Sequence, residues 1–146
     1  MWCENDLAAK RKLRYYKEVI NPTLEDQNYL SVLTSSKKKI NIAKTITNSH
    51  ELHSEIGHWT VPKTPWMERI CHLCENMNIE DENNFLLERP TYNHIRAQFY
   101  NLCCNTYFPN LLRCQNYCEL GRLLSKLFEH KNKILNKTKY FFFNVL

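Results

Sequence analysis

The chain has 146 residues, 43% of them apolar and 24% charged, a balance that suits one compact domain or two small lobes and excludes both a disordered tail and a membrane-embedded chain. With 2 Gly and 5 Pro there is little material for tight turns, so sandwiches, barrels and doubly wound sheets give way to helices. The net charge of +5 attracts polyanions mildly and falls short of a dedicated nucleic-acid module.

At the N-terminus, Met1 to Lys12 lack the apolar core of a signal peptide, and the cysteine count of 7 is odd. A reducing interior is therefore expected, in nucleus or cytoplasm, where paired cysteines read as metal ligands or buried side chains rather than a disulfide framework. Asp6 predicts the cap of a first helix from Leu7 to about Ile20, stopped by Asn21-Pro22. Its wet face carries Lys10, Arg11, Lys12, Arg14 and Lys17. Thr23 opens a short second helix through Leu33, and Ser35 or Ser36 a third, through Ile40, Ala43 and Ile46 to about Asn48. These three make an N-terminal helical lobe, residues 1–49.

From His50 to Pro90 helical periodicity fades, and a glycine and three prolines (Pro62, Pro65, Pro90) fall in this stretch, which reads as an irregular module with a small core. Beyond it Tyr92, Ile95, Phe99 and Leu102 recur at helical spacing, as do Leu120, Leu123, Leu124, Leu127 and Phe128. A last helix is predicted from Ile134, Leu135, Thr138, Phe141, Phe142, Val145 and Leu146. The module with its following helix spans residues 50–104, and C-terminal helices that pack on it span 105–146. The longest apolar run, Tyr140 to Phe143, is far below the roughly 20 residues a bilayer-spanning helix needs.

The informative segment runs Arg69-Ile70-Cys71-His72-Leu73-Cys74, then Ile79-Glu80-Asp81-Glu82-Asn83-Asn84-Phe85-Leu86-Leu87-Glu88-Arg89-Pro90-Thr91-Tyr92, with Arg96 one helical turn later. A C-x-x-C pair lets two thiolates face one metal from a tight turn, and a helix a few residues on can supply two more ligands. Alone, one such pair is weak evidence. In this setting it resembles the zinc-binding, zinc-knuckle region at the C-terminus of LINE-type (non-LTR) retrotransposon reverse transcriptases, whose pattern is roughly R-x-C-x-x-C, then I-E-D-E-x-H-F-L-L-x-C-P-x-Y-x-x-x-R. Upstream, Leu52, Glu55, Gly57, Trp59, Pro62 and Pro65 resemble the family's lead-in. The resemblance implies a mainly α protein in which a knuckle-like insert sits between the N-terminal lobe and amphipathic C-terminal helices.

Two of the four ligand positions depart from that pattern. Asn84 stands where the family has His, and Arg89 where it has Cys. An amide is a poor zinc ligand and a guanidinium offers no lone pair, so Cys71 and Cys74 read as a remnant pair and zinc is expected to bind weakly or not at all. His50, His53, His58, His72, His94, Cys103 and Cys104 are the substitute ligands in sight, and none keeps the family spacing. Glu80-Asp81-Glu82, just ahead of an apolar run, is expected to stabilise a helix N-terminus rather than hold magnesium. Arg89 is expected to pair with Glu80, Glu82 or Glu88.

The family's role implies RNA or DNA as a partner, contacted weakly by Lys10, Arg11, Lys12, Arg14, Lys37, Lys38 and Lys39. Glu18, Glu25, Glu119 and Glu129 lie among the basic groups and dilute them, so much of this charge reads as the solvated face of amphipathic helices. No catalysis is expected. The Tyr-x-Asp-Asp context of the polymerase is absent, as are a Gly-rich phosphate loop, a Gly-x-Ser-x-Gly elbow and a His-Glu-x-x-His helix. The alternative from the residues themselves is a helical interaction module that uses the apolar face of Phe141 to Leu146 to bind a protein partner or a second copy.

Overall fold

The computed structural model describes residues 29–46, 50–73, 77–104, 106–113 and 116–143; within these, the side chains of Glu55, Pro109 and 139–143 are left aside. The predicted helix from Leu7 to Ile20, with its basic residues Lys10, Arg11, Lys12 and Arg14, lies outside the described residues, as does Cys74. Helices account for 73% of what is described, with no strand among it, as the scarcity of glycine predicted.

Helix α1 (Tyr29–Val32) is the described end of the predicted second helix. Helix α2 (Ser36–Ile46) opens at one of the two serines expected to start it and buries Ile42, Thr45 and Ile46. Helix α3 (His53–Trp59) was not anticipated, being one of seven residues whose start has no side-chain cap from its own N-cap, Leu52. A single 3-10 turn (Trp66–Glu68) leads to the isolated antiparallel bridge Ile70 to Ile79, which closes the C-x-x-C loop at its base. The Cys71 N–H donates to Asn78 O at 3.0 Å and the Glu80 N–H to Arg69 O at 2.9 Å.

After Asp81 the chain enters a short helical segment whose main part, Asn84–Glu88, is a π-helical turn. Its mark is the i to i+5 bond from the Arg89 N–H to Asn84 O, 2.8 Å. From Pro90 to Cys103 the backbone alternates tight and regular turns: a 3-10 turn at Pro90–Tyr92, α4 (Asn93–Arg96), a second at Ala97–Phe99, and α5 (Tyr100–Cys103). The predicted stripe survives this irregularity, since Tyr92, Ile95 and Phe99 are all buried. Helix α6 (Phe108–Arg113) follows, and then α7 (Tyr117–Phe143), 27 residues long.

Helix α7 joins what periodicity presents as two helices. Between Phe128 and Ile134 stand Glu129, His130, Lys131, Asn132 and Lys133, with neither Gly nor Pro to end a helix there. Leu120, Leu123, Leu124 and Leu127 form its buried stripe, against which Ile42, Ile46, Leu52, Phe85, Leu111 and Leu112 pack in one core. Helix α2 makes the most extensive helix contact with α7. The two helices approach at Gly121, where an added Cβ would lie 3.1 Å from the Cβ of Lys38. Polar links flank the seam: Asn41 Nδ2 donates to Ser125 Oγ at 3.2 Å, and Lys37 pairs with Glu129. Among the described residues no helix is long and apolar enough to cross a bilayer.

Candidate functional site

The motif positions converge on a buried ion network. Arg89, 1% exposed, extends from the end of the π turn back over Asn84 and Glu80. Its Nη1 donates to Glu80 Oε1 at 2.9 Å, while Nε and Nη2 donate to Asn84 Oδ1 at 3.2 and 2.8 Å. The π turn is what makes this fork work. In an α-helix residues five apart diverge around the axis, whereas the wider turn brings Asn84 and Arg89 towards one face. The resembled pattern puts His and Cys at these two positions, and the same backbone feature would aim both at one centre. Cys71, 2% exposed, lies within electrostatic range of Arg89 and of Tyr92. The Leu73 N–H donates to Cys71 Sγ at 3.2 Å, so the tight turn after the cysteine is folded back on its sulfur.

Glu80 is the hub. Oε1 accepts from Arg89 and forms an ion pair with Lys131 Nζ at 3.0 Å, and Oε2 accepts from the His53 N–H at 2.9 Å and from His53 Nδ1. The Glu80 carbonyl takes the Ser54 N–H at 3.1 Å. Two donors at the start of α3 are therefore satisfied by a residue 27 positions away in sequence, in place of a local cap. Burial by itself would push the Glu80 carboxyl up. The hydrogen bond from His53, the charge of Lys131 and the hydrogen bond from Arg89 outweigh it and hold that carboxyl well below the usual carboxylate range. For Arg89 burial disfavours the charge, but the bond to Glu80 and the negative potential of Cys71 and Glu80 prevail and raise its pKa above the ordinary value. Burial also pushes the Tyr92 hydroxyl, beside this cluster, up to about 12.

The rest of the acidic triplet divides its work. Asp81 does what was expected of all three: its Oδ1 accepts the Asn84 N–H at 2.8 Å and its carbonyl the Phe85 N–H at 2.9 Å, opening the helical segment. Burial, with Glu82 and Glu88 nearby, raises its pKa against the opposing bond from Asn84. Glu82 instead accepts from His50 Nε2 at 2.8 Å, and because the Leu52 N–H donates to His50 Nδ1, the ring proton belongs on Nε2. Arg96, the last residue of the resembled pattern, closes the far end by donating to Arg89 O, to Leu86 O at 3.4 Å and to Asn93 Oδ1 at 2.5 Å.

Gly57 and Arg69 explain each other. A Cβ on Gly57 would stand 2.8 Å from Arg69 Cγ, and Arg69 passes there to donate to Ser54 O at 2.7 Å and Thr64 O at 2.9 Å. The lead-in glycine and the arginine two residues before the first cysteine are thus one packing unit.

Among the described residues the donor set does not fit a metal ion. Asn84 Oδ1 already accepts twice from Arg89, the guanidinium itself repels a cation, and the Glu80 carboxylate is engaged by three hydrogen bonds and the Lys131 ion pair. Among the described residues no three His, Cys, Asp or Glu side chains converge as a cage. Of the substitute ligands, His50 and His53 are held by Glu82 and Glu80, His72 meets the His53 ring edge-on at 4.9 Å, and His94 meets His130 at 4.8 Å. Nor is the hub open to a substrate, since the Glu80 and Arg89 side chains are both 0% exposed.

Sequence reasoning named His53 only as a substitute metal ligand, not as a partner of Glu80, and did not place Lys131 at the centre. The signal for Lys131 was legible, because it sits four residues after Leu127 and continues the apolar stripe of α7, where a hydrocarbon is expected. Nothing local marks His53. Of the candidate nucleic-acid residues, Lys37 is paired with Glu129 and the stem of Lys38 lies over Gly121, so both belong to the helix seam. The side chains of the C-terminal apolar face, Phe141 to Leu146, lie outside the described residues. Comparison of the chain with family models, with curated proteins and with solved structures returned no match.

Proposed function

We propose that this chain is a non-catalytic derivative of the reverse-transcriptase zinc-binding module of LINE-type retrotransposons, whose ancestral task is to hold RNA or DNA beside a polymerase. The observation that carries the reading is the i to i+5 π turn, which brings positions 84 and 89 to one centre within electrostatic range of Cys71. A His and a Cys at those positions could share a metal through that convergence, and single π turns recur at functional sites. The Gly57 and Arg69 packing and the Arg96 bonds to the π-turn carbonyls support it further, since all three residues belong to the resembled pattern.

The role left to such a module is weak, salt-sensitive contact with phosphates through its lysines and arginines. The ancestry is tested by Asn84→His combined with Arg89→Cys. That variant is expected to bind cobalt with the intense visible absorption of thiolate ligation and to melt higher in zinc than in chelator. A folded double variant with neither property would show the motif to be misassigned. Fluorescence anisotropy with single-stranded RNA tests the role: nanomolar, sequence-selective binding near physiological salt would contradict a weak residual contact.

A further inference from the structure

We infer that the Arg89 guanidinium is a tethered cation that replaces a metal cross-link, so that this module is closed without metal and its centre rejects one. The inference deepens the reading above and rests on it for the word replacement; the network itself rests on geometry alone. Structural zinc stabilises small modules by tying distant segments to one positive centre. Here the ties are hydrogen bonds and an ion pair. Arg89 holds Asn84 and Glu80 at 2.8 to 3.2 Å, and Glu80 in turn holds the start of α3 through His53 and the middle of α7 through Lys131. Lys131 adds a bond to Glu51 O at 3.0 Å. Four chain segments are joined, as many as four zinc ligands can join.

Charge explains why a metal does not share the centre. The guanidinium has no lone pair, stays protonated and lies within electrostatic range of Cys71, so the centre already holds a fixed positive charge that repels a metal cation. Because both Arg89 and Glu80 are withdrawn from water, neither can be lost without stranding a charge on the other.

The first test uses the unaltered chain. Its melting temperature is expected to move by less than about 1 °C, an order-of-magnitude threshold, between excess chelator and a stoichiometric addition of zinc or cobalt, with no thiolate-to-cobalt absorption. A shift of several degrees or a cobalt band overturns the inference. The second test is a double-mutant cycle. Arg89→Met and Glu80→Met are each expected to lower the melting temperature by about 10 °C, and the pair together by clearly less than the sum. Additive losses overturn it. Should Arg89→Met fail to fold, Arg89→Lys keeps the charge without the fork; an intermediate loss is expected, and an unchanged melting temperature overturns the claim that the fork matters. A failed Asn84→His and Arg89→Cys variant would remove the ancestry and leave this coupling standing, while additive losses in the cycle would remove the coupling and leave the ancestry untouched.

Discussion

Glu80 and Asp81 are neighbours in sequence whose titrations are pushed in opposite directions. Glu80 faces inward onto Arg89, Lys131 and the hydrogen-bonding His53 ring and is held low, whereas Asp81, at the mouth of the helical segment with Glu82 and Glu88, is held high. The sign of the linkage follows. A carboxyl depressed in the folded state stabilises fully above its unfolded value, here 4.5, and that contribution is lost as pH falls towards the folded value. A carboxyl raised in the folded state contributes in the opposite sense, losing stability as pH rises above 3.8. The chain is therefore expected to lose stability steeply below pH 4.5, and Glu80→Gln to flatten that limb while costing about 3 kcal/mol at pH 7 through the stranded charges of Arg89 and Lys131. Thermal melts of both proteins from pH 2 to 7 decide it; parallel curves would mean that Glu80 does not carry the acid limb. The arginine at position 89 was expected to pair with Glu80, Glu82 or Glu88. It pairs with Glu80 as expected, but burial makes breaking the pair several times costlier than breaking an exposed one.

At the scale of elements, two departures from the sequence expectations have physical causes. Helix α3 escaped notice because it is short, carries Gly57 at its centre and takes its first donors to Glu80 rather than to a neighbour in sequence. Helix α7 was divided in two because a polar stretch interrupts the apolar stripe, yet Lys131 in that stretch faces inward and the backbone has no reason to stop. Asn132→Pro separates the alternatives. In a continuous helix it removes the bond to the residue 128 carbonyl and is expected to cost about 3 kcal/mol, read by denaturant unfolding and by lost helical ellipticity. Tolerance of proline there would mean that two helices meet at this point. The π turn is a third feature of this scale. It was invisible because a spacing of five residues carries no helical period, although the Asn84 and Arg89 positions were already singled out on chemical grounds.

For the molecule as a whole, α7 is the element on which the others converge. Helices α1, α2 and α4 pack on it, Phe128 meets Phe85 of the π turn at 5.0 Å between ring centroids, and Lys131 reaches the ion network. Leu124→Ala at the centre of its stripe is expected to cost about 2–5 kcal/mol of global stability. Leu135→Ala, beyond the packed stretch and only half-buried, is expected to cost under about 1 kcal/mol. Equal losses would place the core elsewhere. The amino-acid sequence by itself determined the helical class, the stripes of α2 and α7 and the position of an irregular centre, because each follows from local composition and spacing. Tertiary structure alone decided that Glu80 caps α3, that Lys131 belongs to the centre, and that Arg89 turns inward to Asn84 and Glu80. Those are contacts between residues as much as 80 positions apart, and their energy comes from the desolvation of charge, which no residue possesses until the chain has folded around it.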